Sequence, residues 1–351
     1  MFIHGIGTAV PEQVYTQSQI WDAIQQTGLL TEFDERAAHI LEKVLRSSAI
    51  ERRHLALAQL EEGLERSPDA LHARFARNAP GLAAQAARQA LESSGVGPGQ
   101  IDAVLVATCT GYLCPGLSSY VTELLDLRRD VHALDLVGQG CGAAIPALRT
   151  ARALLAGGTA ERVLVICVEV CSAALYLDND PGVLISACLF GDGAAATVLT
   201  ARPPEHLRQV QWIDSATRVA PEHRDALRFV TRGGVLRNTL TAAVPRLAAE
   251  AARVVREDVF ARRRLGAGEV QAWLLHPGGK DVLIALREQL GLSEGDVRYS
   301  AQVLRDYGNM SSPSVLFVLD AAMRDSAPAG AWWMSAFGAG FSCHGALLAA
   351  Q

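Results

Sequence analysis

An α/β fold with a mainly parallel sheet, built as two similar halves, is what this sequence predicts. Two observations carry that expectation. Apolar strand-like runs alternate with alanine-rich helical stretches. Short strings also recur along the chain in the same order at nearly constant spacing.

Taken in order, Met1-Phe2-Ile3-His4-Gly5-Ile6-Gly7 reads as a first strand. It lacks the basic start and long apolar stretch of a signal peptide. Lys43, Arg46, Arg52 and Arg53 fall in what reads as a short helical stretch, either a solvated face or a patch for a phosphorylated carrier such as coenzyme A. Gly81 to Ser93 reads as a helix and Ala103-Val104-Leu105-Val106-Ala107 as a buried strand. Ala143 to Leu155 reads as the next helix, and Val163 to Val168 as a second buried strand. Arg202-Pro203-Pro204-Glu205 is the strongest break, giving an expected division into residues 1–200 and 201–351. Beyond it, Ala242 to Val259 reads as a helix and Ala272-Trp273-Leu274-Leu275 as a strand.

The echoes are specific. Gly140-Cys141-Gly142-Ala143-Ala144-Ile145-Pro146-Ala147-Leu148 matches Gly308-Asn309-Met310-Ser311-Ser312-Pro313-Ser314-Val315-Leu316 at an offset of 168, and Val104-Leu105-Val106-Ala107 matches Trp273-Leu274-Leu275-His276 at 169. Phe190-Gly191-Asp192-Gly193 matches Phe337-Gly338-Ala339-Gly340 at 147, so the first half carries about twenty extra residues between Cys141 and Phe190. A pseudo-twofold relation would place Cys141 and Asn309 at equivalent turns facing one pocket.

The chain has 351 residues, half of them hydrophobic, and a net charge of −5. The charge disfavours a nucleic-acid partner, and no apolar run is long enough to predict a membrane span. Seven cysteines, an odd number without ligand-spaced histidines, predict reduced thiols in a cytoplasmic protein and no zinc or other metal site. Cys167 and Cys171 read as core thiols.

Three segments carry chemistry. Cys141 stands between glycines just before a helix, where the dipole would favour the thiolate and the glycines would admit another molecule. His276 ends an apolar strand and enters Pro277-Gly278-Gly279, where it could reach a cleft. Asn309 precedes Met310-Ser311-Ser312 and could cap a helix or hold a carbonyl oxygen. A thiol nucleophile, a base and an oxyanion-holding amide suffice for acyl transfer on sulfur. Phe190-Gly191-Asp192-Gly193 and Phe337-Gly338-Ala339-Gly340 are either cleft-lining segments or structural turns.

Together with Gly5-Ile6-Gly7-Thr8-Ala9-Val10-Pro11, Ser48-Ala49-Ile50-Glu51-Arg52-Arg53 and Cys109-Thr110-Gly111-Tyr112-Leu113-Cys114-Pro115-Gly116, these segments resemble the type III polyketide synthases, the chalcone- and stilbene-synthase-like branch of the thiolase superfamily. The resemblance runs nearly end to end. It implies a thiolase-like five-layered αβαβα fold of two pseudo-repeated halves, a homodimer, and iterative condensation of malonyl-CoA onto an acyl-CoA starter. It implies no permanently bound cofactor, with coenzyme A thioesters as substrates. Cys141 would carry the acyl group, His276 would act as its base, and Asn309 would stabilise the enolate with His276. Phe190 would be the aromatic between CoA tunnel and cavity. Thr110, Cys114, Ser186 and Gly338 would line the substrate cavity, and Lys43 and Arg46 would meet CoA phosphates. A single-condensation ketoacyl-ACP synthase III-like enzyme, or a non-catalytic partner subunit of the same fold, would keep many of these features. The segment Arg228 to Leu236, where a second gatekeeper aromatic is expected, departs from the family pattern, as do Ala339 and Phe341-Ser342-Cys343-His344-Gly345.

Overall fold

In the computed structural model, residues 1–174, 176–205 and 208–351 are described. The first half runs β1 (Phe2–Ala9), β2 (Val14–Thr16), α1 (Gln17–Gln26), α2 (Glu35–Leu45), β3 (Arg52–His54), α3 (Pro68–Ser94), β4 (Ala103–Thr108), α4 (Leu117–Leu124), β5 (His132–Val137), α5 (Ala144–Ala156), β6 (Arg162–Glu169), α6 (Pro181–Leu189) and β7 (Gly193–Thr200). The second runs β8 (Val210–Val219), β9 (Leu227–Arg232), β10 (Val235–Leu240), α7 (Val244–Arg263), β11 (Val270–Leu275), α8 (Lys280–Leu290), α9 (Arg298–Tyr307), α10 (Ser314–Arg324), β12 (Gly330–Gly338) and β13 (Ser342–Ala350).

Nine strands hydrogen-bond in the order β11-β12-β13-β8-β1-β7-β6-β4-β5. The order reads as two copies of one pattern meeting at β1 and β8, which pair antiparallel over Phe2↔Gln211 and Ile3↔Val210. β1 corresponds to β8, β4 to β11, β6 to β12 and β7 to β13. The extra length of the first half lies between Glu169 and Gly193, where the second passes from Gly338 to Ser342.

Side-chain alternation explains the layers. In β4, Ala103, Leu105 and Ala107 face a core shared with α5 and α10, while Val104 and Val106 face α3. In β11, Ala272 and Leu274 face that same central core, and Trp273 and Leu275 face α7 and α8. Helices therefore lie outside each sheet, with α5 and α10 between, giving five αβαβα layers. Strands covered on both faces read as the continuous apolar runs noted above.

Three expectations need correction. The nine-stranded sheet is not mainly parallel: β1–β7, β1–β8, β6–β7, β8–β13 and β12–β13 pair antiparallel, because each half closes with a strand that returns beside its neighbour. The helix expected over Gly81 to Ser93 is α3 and begins at Pro68, with Ser67 capping it through Ala70 N–H at 3.4 Å. It passes through Pro80, because a buried stripe of Leu71, Phe75, Ala79, Leu82, Ala83, Ala86 and Ala87 outweighs one lost backbone bond. Arg52 and Arg53 are not helical. They form β3, antiparallel to β2, and Arg53 is buried at 2% exposure.

β4 pairs parallel with β5 and β6, and β11 parallel with β12. Their carboxyl ends deliver Cys109, the Cys141 turn, Glu169, His276 and Gly338 to one region, where sites form in such sheets.

Candidate active site

Cys141 sits in a single 3-10 turn, Gly140–Gly142, directly before α5. The flanking glycines admit another segment of the chain itself. A Cβ on Gly142 would lie 3.0 Å from His344 Cδ2 and 3.2 Å from Gly338 N, and one on Gly140 would lie 2.8 Å from Ala339 N. The Phe337–Gly340 turn is thus clamped against the cysteine turn.

Asn309 is the matching residue of the second half, before α10, but it does not cap that helix. Its Oδ1 accepts from Ser311 N–H at 2.8 Å, and its Nδ2 donates to Gly278 O at 3.2 Å. Its backbone forms an isolated parallel bridge with Phe190, through Asn309 N–H to Leu189 O at 2.9 Å and Gly191 N–H to Asn309 O at 3.0 Å. Ser311, at φ 60°, points its hydroxyl back to donate to Cys141 Sγ at 3.2 Å. Cys141, Ser311, Asn309 and the His276-Pro277-Gly278 turn therefore form one hydrogen-bonded chain across both halves.

His276 follows β11, its N–H held by Ser335 O at 2.9 Å and its ring edge-on to Phe337 at 5.1 Å. Both ring nitrogens are buried and have no hydrogen-bond partner among the described residues. Burial pushes the His276 imidazole down to about 3 and the Cys141 thiol up to about 12. Burial thus favours the neutral form of each group where it stands. The thiolate favoured by dipole reasoning is outweighed by desolvation, because Cys141 stands before the first turn of α5 in an apolar setting with Cys171 and Phe190.

Residues not singled out from the sequence complete the setting. Glu169 is fully buried, and burial raises its carboxyl above the usual range. Its Oε2 accepts from Thr108 Oγ1, Cys109 N–H, Thr110 N–H and Thr110 Oγ1 at 2.8–3.2 Å, and its Oε1 from Ser312 Oγ at 2.6 Å. Cys109 Sγ lies 3.3 Å from Ser311 Oγ, placing a second thiol beside the first. The sequence signal for Glu169 was present: a lone carboxylate inside an apolar strand requires buried partners.

A cavity of about 770 Å³ opens beside this region, lined among others by Phe75, Cys109, Thr110, Gly140, Phe229 and Gly340. Thr110 lines this cavity, and so does Phe229, in the β9–β10 hairpin, an aromatic from the segment expected to carry a second gatekeeper. Phe190 packs with Cys141 and Cys171. Cys114 is exposed. Ser186 is away from the cavity lining: its hydroxyl donates to Gly182 O at 2.6 Å and accepts from Asn238 Nδ2 at 2.8 Å. Gly338 packs on backbone, since a Cβ there would lie 2.3 Å from Gln139 O. Lys43 lies exposed on α2, and Arg46 follows it, stacked 5.7 Å over Trp21. Arg53 is withdrawn from any surface patch by its burial. All seven cysteines are thiols. Among the described residues no helix is long and apolar enough to cross a membrane.

Residues 11–225 match the family model described as FAE1/type III polyketide synthase-like protein, and residues 213–349 that of the chalcone and stilbene synthase C-terminal domain. The 3,5-dihydroxyphenylacetyl-CoA synthase of Streptomyces toyocaensis is 32% identical over 324 residues, covering 90% of this chain and 80% of its own. The crystal structure of PKS-I from the brown alga Ectocarpus siliculosus superposes with a TM-score of 0.89 at 27% identity, covering 99% of this chain and 97% of that one. The 1,3,6,8-tetrahydroxynaphthalene synthase of Streptomyces coelicolor A3(2) shares the fold, with a TM-score of 0.91 at 21% identity over 100% of this chain and 99% of that one.

Proposed function

The chain belongs to the type III polyketide synthase family, and on that premise we propose that it adds malonyl units repeatedly to an acyl group held as a thioester on Cys141. Coenzyme A thioesters are its substrates. The observation that carries the assignment of residues is the hydrogen-bonded chain from Cys141 through Ser311 and Asn309 to Gly278, beside an imidazole with both nitrogens unpartnered among the described residues.

With both neutral forms favoured by burial, Cys141 gives up its proton as it attacks. His276 takes that proton while the new S–C bond forms, and returns it to the departing CoA sulfur. Malonyl-CoA then enters and loses CO2. The electron pair left behind forms an enolate, whose oxygen is placed between one N–H of His276 and the Asn309 amide. Asn309 Nδ2 has two hydrogens and gives one to Gly278 O, so the other can serve the enolate. Donors fixed where charge develops contribute about 3–4 kcal/mol each. The enolate carbon attacks the Cys141 thioester, the sulfur leaves as a thiolate that takes up one proton from solvent, and the lengthened chain, now on CoA, is loaded again. Lys43 and Arg46 are placed in this reading at the CoA phosphates.

The partner in this reading is a second copy of the chain. β5 is the last strand of the sheet, its outer edge unpaired among the described residues, and Tyr112 and Val137 nearby are 67% and 49% exposed. Light scattering should return twice the chain mass.

The direct test supplies malonyl-CoA with a panel of acyl-CoA starters. Release of CO2 and CoA, with more than one malonyl unit per product, is expected. One unit per product would favour the single-condensation alternative, and no release across the panel would end the condensation reading.

A further inference from the structure

The last turn of a helix leaves carbonyls that must be satisfied from outside it. At the end of α6, next to Phe190, each has a partner. Ala187 O and Phe190 O both accept from Arg53 Nη1, at 2.6 and 2.8 Å. Cys188 O accepts from Gln17 Nε2 at 2.9 Å. Leu189 O accepts from Asn309 N–H at 2.9 Å. Arg53 Nε in turn donates to Gln17 Oε1 at 3.1 Å. The stem of Arg53 also lies against Gly308, where a Cβ would be 3.0 Å from Arg53 Cγ. One side chain therefore grips Phe190 by its carbonyl and braces the residue before Asn309.

Arg53 is 2% exposed, and its hydrogen-bond acceptors among the described residues are neutral oxygens. Burying a guanidinium without a bonded carboxylate is expensive. The positive charge sits at a helix C-terminus, where the dipole favours it and charge-assisted bonds to carbonyls are strong.

We propose that Arg53, held by Gln17, is a positioning residue that locks the Phe190–Asn309 pairing and so sets where the Asn309 carboxamide meets the malonyl thioester. This rests on the condensation reading. Arg53 touches no substrate. It acts on decarboxylation, through Asn309, far more than on loading of Cys141: Phe190 packs on Cys141, but the cysteine turn itself is held by α5 and the Phe337–Gly340 segment.

The test compares two half-reactions in the full-length protein. In Arg53→Met, kcat for malonyl-CoA decarboxylation should fall tenfold or more with KM within twofold, while burst acylation of Cys141 by an acyl-CoA stays within twofold. Arg53→Lys should recover part of the loss. A side chain that only stabilised the fold would lower both half-reactions in proportion to folded protein. If Arg53→Met does not fold, Gln17→Leu should give the same pattern at about threefold. Hydrogen exchange supplies a readout independent of activity: the Gly191 and Asn309 amides should lose protection in either variant, with α5 unchanged. Equal loss in both half-reactions, or unaltered exchange at Gly191 and Asn309, would overturn the proposal. Absence of CO2 release by the unaltered protein would instead remove the condensation reading, with the exchange result still deciding the role of Arg53.

Discussion

Gly338→Ala places one methyl group between the two segments that define the nucleophile. Its Cβ would stand 2.3 Å from Gln139 O and 2.7 Å from Gly142 N, against 3.4 Å where ordinary contact begins. Both neighbours are backbone atoms on either side of Cys141, so no side chain can swing away. The end of β12 and the cysteine turn must separate by about 1 Å. Overpacking of this kind costs about 1–3 kcal/mol in stability. A displacement of about 1 Å at a reacting group can lower the rate about 10²-fold. The assay is stopped-flow or quenched-flow acylation of Cys141 by an acyl-CoA, paired with urea unfolding. Gly81→Ala is the control. It lies mid-helix in α3 with nothing within 4 Å of its Cβ, and should stabilise the protein by about 0.5–1 kcal/mol with unchanged acylation. If Gly338→Ala acylates within twofold of the parent and unfolds within about 0.5 kcal/mol of it, the clamp described here does not hold Cys141.

Glu169→Gln should be tolerated at a cost of about 1 kcal/mol, since its amide oxygen can keep the four Oε2 contacts while its NH2 faces Ser312. Glu169→Ala strands the Cys109 and Thr110 N–H groups and should cost about 3 kcal/mol or more by urea unfolding. Stability should fall on acidification. His276 and His344 are held down to about 3 and about 4 by burial, so their contribution is complete above the unfolded value near 6.5 and is lost as pH drops below it. At pH 5 each accounts for about 2 kcal/mol, and His276→Gln should remove about 2 kcal/mol of the change measured between pH 7.5 and 5. Asn309→Ala should slow malonyl-CoA decarboxylation about 10²–10³-fold, read as CO2 release. A loss below tenfold would take Asn309 out of the enolate site.

The layers were legible because strands buried on both faces write themselves as unbroken apolar runs. Val104 and Leu105, adjacent in sequence, serve different cores. The two halves were legible because equivalent turns need equivalent small residues. What the sequence hid has a common cause: it depends on burial that only the assembled fold creates. Arg53 reads as a surface cation until the end of α6 is laid over it. Cys141 reads as a dipole-activated thiol until the apolar pocket around it is counted. The helix reads as starting at Gly81, after Pro80, until the length of the buried α3 stripe is seen. Ser311 and Glu169 were missed because their partners are remote in the chain: Ser311 stands in the Asn309 turn, but its hydroxyl meets Cys141 170 residues away. The resemblance put Gly338 at the substrate cavity, and the group that approaches it closely is the backbone of Gln139.

Intact mass and peptide mapping after brief mixing with an acyl-CoA test the central claim most directly. One acyl group should appear per chain, on the Cys141 peptide alone, and none in Cys141→Ala. Acylation of Cys109 or Cys171 in the unaltered protein, or an acyl group still gained by Cys141→Ala, would contradict it.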